Sequence, residues 1–149
     1  MDPSSRQPDP TDWKIIDLVR SGVVSNSTIA DHLGISEGTV RQRIKRMKDA
    51  GVLAFRGLID PDVLTNRQLT LIGANVTESR LLDAKAREIS GLPNVLSVSI
   101  ASGRFDLIIE VLVDSNHGLV DFLIHELSAI EGISKTESFL LLKTYSKFV

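Results

Sequence analysis

Residues 69–149 contain the same pattern twice. Each half reads as an apolar strand, an amphipathic helix and a second strand, because apolar residues recur first with a period near two, then near 3.6, then near two again. The stretches are LTLIGANV, LLDAKAREIS and VLSVSIAS in the first half, and FDLIIEVLV, GLVDFLIHELSAI and ISKTESFLLLKTY in the second. This duplication predicts a βαββαβ, ferredoxin-like domain with a four-stranded antiparallel sheet.

The strand FDLIIEVLV is apolar on both faces. Two helices can cover only one face of the sheet, so the other face needs a second cover. We expect another subunit to provide it. The alternative is that the N-terminal domain packs on that face.

The N-terminal part has a different pattern. Residues 1–10 contain three prolines among polar residues and are expected to form a disordered arm. Residues 11–52 predict three short helices, and residues 53–68 a linking strand, VLAFRGLI, followed by a linker. The expected helix caps are Thr11, Ser25 or Asn26, and Ser36, with Gly22, Gly34 and Gly51 at the ends. The fold class is therefore α+β.

The second and third helices have helix-turn-helix spacing. Ala30 is small enough for two helices to approach, Gly34 permits a tight turn, and Val40 closes the core between them. Some helical hairpins that do not bind DNA share such a turn, so the spacing alone does not decide the function.

Charge supports DNA binding. Residues 1–58 hold nine Lys and Arg against seven Asp and Glu, whereas residues 59–149 hold eight against twelve. The third helix should turn its apolar residues inward and leave cations outward to neutralise phosphates and reach base edges. The predicted DNA-binding residues are Ser36, Glu37, Gly38, Thr39, Arg41, Gln42, Arg43, Lys45 and Arg46.

Two positions in this helix have two interpretations each. Glu37 either accepts a hydrogen bond from a cytosine amino group or repels the DNA backbone. Gly38 either permits close approach to DNA or is a tolerated substitution.

Composition removes several classes of site. The chain has no cysteine, which excludes disulfides, thiolate nucleophiles and cysteine-based metal sites. No apolar run is long enough to span a bilayer, and the N-terminus lacks a signal-peptide core. We therefore expect a cytoplasmic, nucleoid-associated protein with no membrane, metal or cofactor.

The stretch ASGRFDL joins two strands and carries opposite charges close together. Backbone N–H groups at Gly103 beside Arg104 could hold a carboxylate, and Asp106 could accept an ammonium group. This suits a zwitterion such as an amino acid, although an ordinary hairpin with a charged tip fits the residues equally well.

Together these motifs resemble the Lrp/AsnC, or feast/famine, family of bacterial and archaeal transcription regulators. The resemblance rests on DWKIIDLV, IADHLGISEGTVRQRIKRMKDAGVL, GLPNVLSVSIASGRFDLIIEV and IEGISKTESFLLL. It implies a regulator that binds double-stranded DNA and senses a small effector, and a homodimer that assembles further into a tetramer or octamer. The implied effector residues, which lie between subunits, are Ser102, Gly103, Arg104, Asp106, Asn116 and Phe139.

Two alternative functions remain open at the level of sequence. Haem-biosynthetic decarboxylases are similar to this family in fold, and His117 and His125 lie eight apart on one predicted helix with Asp121 between them. A decarboxylase would have no use for the cations of the third helix, so a non-enzymatic regulator is preferred. A sequence-indifferent DNA-compacting protein is also compatible with the pattern.

Overall fold

In the computed structural model, which describes residues 7–23 and 25–149, three helices precede a four-stranded sheet. The elements are α1 (Pro10–Arg20), α2 (Asn26–Leu33), α3 (Glu37–Asp49), β1 (Arg67–Val76), α4 (Leu82–Ser90), β2 (Val95–Ile100), β3 (Leu107–Asp114), α5 (Gly118–Asp121) and β4 (Ile133–Leu140). Short 3-10 turns precede β1 and α4. The chain divides into two compact units between Gly57 and Leu58.

Helix α1 begins earlier than predicted. Its N-cap is Asp9, whose carboxylate accepts hydrogen bonds from the backbone N–H groups of Thr11 and Asp12 at 2.8 and 2.9 Å. The Asp12 carboxylate accepts from the Asp9 N–H in return, which completes a capping box. The prediction that Thr11 caps this helix and that the disordered arm extends to residue 10 was therefore wrong. Residues 1–6 of that arm lie outside the described residues.

The helix-turn-helix prediction is confirmed. Ser25 and Ser36 cap α2 and α3, and Gly34 has a φ of +64°, the left-handed conformation that glycine adopts without strain. Ala30 and Val40 are buried between the helices. The core of this unit consists of Ile15, Ile16, Ile29, Ala30, Val40 and Met47.

The C-terminal unit has the predicted βαββαβ topology. The sheet order is β2-β3-β1-β4, and all three strand pairs are antiparallel. In the second half, the helix continues from α5 as a π-helical segment, Phe122–Leu127. Residues five apart share a face of a π-helix, so Phe122 and Leu127 are both buried against the sheet.

The two faces of β3 differ in burial. Leu107, Ile109, Val111 and Val113 face the helices and are buried, whereas Ile108, Glu110 and Leu112 on the other face are partly exposed. On that second face, Lys147 Nζ lies 2.6 Å from Glu110 Oε1. The chain after β4 therefore reaches the second face of the sheet.

The predicted linking strand is not formed. Residues 53–60 have no regular secondary structure, and β4 ends at Leu140 although the pattern predicted a strand to residue 145. A strand needs a neighbour for its backbone groups. In the described chain that pairing is limited to Ile59, which exchanges two 3.0 Å hydrogen bonds with Val149.

The helices of residues 7–23 and 25–149 are short. The longest, α3, has 13 residues and is rich in charge, and this described part of the chain contains no helix suited to spanning a bilayer.

Candidate DNA interface and effector site

Helix α3 begins at a strong cap. The hydroxyl of Ser36 accepts a hydrogen bond from the Thr39 N–H at 3.1 Å, and Glu37 occupies the first turn, where the helix dipole favours a carboxylate. Val40 and Met47 are buried against the rest of the unit. The opposite side of the helix is consequently exposed, as the sequence predicted.

Two of the exposed cations of α3 have carboxylate partners on the same helix. Arg41 contacts Glu37 at 2.5 Å, and Lys45 contacts Asp49 at 2.6 Å. The hydrogen bond to Asp49 raises the pKa of Lys45 above its ordinary value. Such exposed pairs contribute little to stability because solvent screens them, so a competing anion can replace the carboxylate at small cost.

Arg43 lies in a different environment. Its Nη1 donates to Asp9 Oδ2 at 2.6 Å and to Asp12 Oδ1 at 2.9 Å, and its side chain is only 27% exposed. The hydrogen bond between Asp9 and Arg43 is the largest cause both of the lowered pKa of Asp9 and of the raised pKa of Arg43. Arg43 therefore joins α3 to α1, whereas its contact with DNA stays a prediction.

Arg46 lies near the same two carboxylates, and its Nη2 is 3.9 Å from Asp9 Oδ2. Its Nη2 donates to Asp12 Oδ2, while its side chain is 58% exposed. An open groove of about 620 Å³ runs along this side of α3. Its lining includes Thr39, Gln42, Arg43, Lys45, Arg46 and Asp49.

Sequence reasoning missed the carboxylates of α1. The hydrogen-bonded pairs that they form with Arg43 and Arg46 join residues 31 to 34 positions apart. The signal that could have found them is the pair of acidic residues three apart at Asp9 and Asp12, which is typical of a capping box. No local pattern connects either of them to α3.

The turn between β2 and β3 has the geometry expected of its glycine. Gly103 has a φ of +153°, a conformation that L side chains rarely adopt, and both Ser102 and Gly103 are exposed. Arg104 contacts Glu137 at 2.8 Å and lies 5.3 Å from the centroid of the Phe105 ring. The ring of Phe105 makes an edge-to-face contact with Phe139, which places Phe139 close to the turn within one chain.

Asp106 already has a role in the backbone. Its Oδ2 accepts a hydrogen bond from the Val76 N–H at 2.9 Å, beside an irregularity in the pairing of β1 with β4. Asn75, the residue before Val76, donates to the carbonyl of Arg104 at 3.2 Å, and its buried Oδ1 accepts no hydrogen bond from the described residues. Asn75 and Glu137 were missed because strand pairing, and not sequence proximity, places them at this turn.

Asn116 lies elsewhere. It follows β3 at Asp114, whereas the turn precedes β3 at Leu107, so the eight residues of the strand separate them by about 25 Å. Within one chain, therefore, Asn116 and the turn are not brought together.

Two family models cover most of the chain. The N-terminal unit matches a winged helix-turn-helix DNA-binding model over residues 8–54, and an Lrp/AsnC ligand-binding domain model matches residues 70–148. The chain belongs to the Lrp/AsnC family. Because the matched relatives of this Lrp/AsnC protein are named transcriptional regulators, it is a DNA-binding transcriptional regulator and not an enzyme.

Similar proteins span nearly the same length. An uncharacterized HTH-type transcriptional regulator of Pyrococcus furiosus is 34% identical over 125 residues, which are 83% of this Lrp/AsnC chain and 84% of that protein. The solved structure of MtbAldR is similar with a TM-score of 0.77 at 24% identity, covering 93% of this chain and 96% of that one. A transcriptional regulator from Neisseria meningitidis, solved as an L-Met complex, is similar with a TM-score of 0.67 at 21% identity, and the match covers 95% of this chain and 94% of that one.

Within residues 7–23 and 25–149, no three His, Asp or Glu side chains are grouped so that they could hold a metal ion.

Proposed function

We propose that this Lrp/AsnC protein recognises specific DNA sequences through the exposed side of α3 and that an amino acid or related carboxylate changes its DNA affinity or assembly. The observation that carries the DNA part is the set of cations and amides on the exposed side of α3. Arg41 and Gln42 are exposed near the start of the helix, where base edges are usually read, and Lys45 and Arg46 follow one turn later.

The individual roles follow from side-chain chemistry. The Arg41 guanidinium can donate two hydrogen bonds to guanine, and the Gln42 amide can pair with adenine. Lys45 and Arg46 are assigned to phosphates, which all sequences share. Glu37 holds Arg41 at 2.5 Å and so restricts the directions that this guanidinium can take.

The effector is proposed to bind at the turn from Ser102 to Asp106. Supporting this placement, Arg104 offers a cation, Asp106 has a second carboxylate oxygen, and the buried Asn75 Oδ1 has no donor among the described residues. A carboxylate and an ammonium group would complement these atoms. The L-Met complex of the Neisseria regulator is consistent with an amino acid as the ligand.

Assembly is part of the same proposal. Since Asn116 and the turn lie at opposite ends of β3, an effector can touch both only if they come from two copies of the chain. A two-fold dimer would also present two α3 helices to DNA half-sites about 34–36 Å apart, or a multiple of that distance. We propose a homodimer that assembles further.

The experiment combines DNA binding with ligand screening. A mobility shift on the DNA upstream of the protein's own gene is compared with a shuffled duplex, and the twenty amino acids are screened by calorimetry. The proposal expects preference for the upstream DNA and binding of at least one amino acid that changes the shift. Equal affinity for both duplexes would instead indicate DNA compaction, and the absence of any ligand would remove the effector role.

The residue test uses Asp106→Asn. Asparagine keeps an acceptor for the Val76 N–H but removes the charge that would pair with an ammonium group, so effector affinity should fall while DNA binding stays. Asp121→Asn, an equivalent change at an exposed residue of α5, is the matched control. If Asp106→Asn binds the effector as the parent does, the site lies elsewhere.

A further inference from the structure

Asp12 is a fully buried carboxylate in the first turn of α1. Its side chain is 0% exposed, and each oxygen is contacted by a different arginine of α3. Arg43 donates to Oδ1 at 2.9 Å, Arg46 donates to Oδ2, and the Asp9 N–H donates to Oδ2 at 3.0 Å. Burial of a carboxylate is costly unless its oxygens are paired, so this arrangement depends on both arginines.

The two arginines differ in whether their guanidinium groups have N–H donors left to bind another anion. Arg43 is mostly buried and also bonds Asp9, so its guanidinium is committed inside the unit. Arg46 is 58% exposed and bonds Asp12 through Nη2. A guanidinium has five N–H donors in a planar fork, so the remaining edge of Arg46 can bind a second anion.

The free edge of the Arg46 guanidinium lies beside the groove along α3. Arg46 lines this groove together with Thr39 and Lys45 on the proposed DNA-facing side of α3. A phosphate accepts two parallel N–H bonds from one edge of a guanidinium. An arginine already fixed at its other edge loses less side-chain freedom when it makes that contact.

We propose that Asp12 is a positioning residue of the DNA interface: it fixes Arg46 from inside the unit so that the outer edge of the guanidinium is presented to a DNA phosphate. The inference rests on the proposed use of α3. Asp12 itself does not touch DNA. The negative charge of Asp12 by itself would lower DNA affinity. Its proposed positioning of Arg46 raises DNA affinity, so the two effects are opposite.

Because the two effects change DNA affinity in opposite directions, removing the charge of Asp12 distinguishes them. Parent, Asp12→Asn, Arg46→Ala and the double variant are measured on a duplex that the parent selects from a random-sequence library, over a range of salt concentrations. Asp17→Asn removes the same charge from an exposed position of α1 and is the matched control. Thermal unfolding of each variant is recorded in parallel.

We expect Asp12→Asn to weaken binding about tenfold and to flatten the salt dependence by about one unit, as Arg46→Ala does. In the Arg46→Ala background, Asp12→Asn should change affinity less than about twofold, because the residue acts through Arg46. Asp17→Asn should bind as tightly as the parent or slightly more tightly.

Several outcomes overturn the inference. One is a folded Asp12→Asn that binds like the parent or better, and another is a loss that persists undiminished without Arg46. If Asp12→Asn does not fold, Arg46→Lys decides, since lysine keeps the charge but lacks the fork; a loss of about fivefold supports the inference and parental affinity overturns it. A parent that selects no duplex removes the proposed DNA interface, and the inference with it.

Discussion

The ring of Phe105 lies directly over Gly73. A Cβ at position 73 would be 2.4 Å from Phe105 Cδ2 and 2.5 Å from Cγ, distances that no real Cβ tolerates. Phe105 is itself 8% exposed and is held by the edge-to-face contact with Phe139. Gly73 is therefore required by the turn that follows β2, although it lies in the middle of β1.

Gly73→Ala should destabilise the C-terminal unit by about 1–3 kcal/mol, because the Phe105 ring cannot move away from the new methyl group without losing its contacts. Calorimetric unfolding measures the effect. Gly57→Ala is the control, since a Cβ there meets nothing within 4 Å and should change stability by less than about 0.5 kcal/mol. Equal unfolding temperatures for the two variants would contradict this account of Phe105.

Lys45→Ala should weaken binding to all duplexes about equally and flatten the salt dependence by about one unit, because it removes one phosphate contact. Asp49→Asn should act in the opposite direction, since it removes the partner that competes with phosphate. Asp83→Asn breaks an equivalent pair with Arg87 in the other unit and should leave DNA binding unchanged. Titration at several salt concentrations distinguishes the three, and a Lys45→Ala affinity equal to the parent's would count against the phosphate role.

Arg41→Ala should relax sequence preference more than it lowers general affinity, with a loss of about 1–3 kcal/mol on the preferred duplex. Glu37→Gln keeps Arg41 but removes the charge of its partner. It should reduce sequence preference by less than Arg41→Ala does. Selection from a random library before and after each substitution measures both effects. If Arg41→Ala selects the same sequence as the parent, Arg41 does not read a base.

Acid should weaken the link between α1 and α3. The hydrogen bond from Arg43 is the largest of the causes that hold the pKa of Asp9 below 3.8. A carboxylate whose pKa is lower in the folded state stabilises the fold above its unfolded pKa, and this contribution disappears as pH falls through the folded pKa. Asp9→Ala should therefore lower the unfolding temperature at pH 6, and its difference from the parent should shrink as pH falls through the folded pKa of Asp9; a difference that persists unchanged in acid would contradict the charge-based explanation.

The proposed dimer should depend on apolar residues near the end of the chain. Leu142 is 89% exposed and Tyr145 is 81% exposed. Replacing Leu142 and Tyr145 together by Glu should shift the mass measured by light scattering at micromolar concentration to that of a monomer. Val120→Glu, a change at an exposed residue of α5, should keep at least the dimer. A parent that is already monomeric would contradict the proposal.

The sequence predicts what local chemistry decides. Ser36, Gly34 and the spacing of Val40 predict the helix-turn-helix because caps and turns involve residues a few positions apart. The duplicated pattern similarly predicts the sheet. The predicted start of α1 was wrong because the three prolines of residues 1–10 indicated an irregular segment, although Asp9 and Asp12 form a capping box there.

The candidate sites were predicted less completely. The cations of α3 are visible in the sequence, but their partners are not, since Asp12 is 31 positions from Arg43. At the other site, Gly103 and Arg104 could be assigned from the turn itself, whereas Glu137 and the backbone role of Asp106 depend on how β1 and β4 pair. The predicted linking strand was wrong for the same reason. Whether a segment forms a strand depends on a neighbouring strand that its own sequence does not reveal.

The paired hydrogen bonds between Ile59 and Val149 place the first residues of the C-terminal unit beside the last ones. Ile59 lies two residues after Gly57, where the chain leaves the DNA-binding unit. Between β4 and Val149 the chain also contacts Glu110 through Lys147. Any change that displaces residues 141–149 must either carry Ile59 with it or break both hydrogen bonds, so this segment ties the sheet to the first residues that follow Gly57.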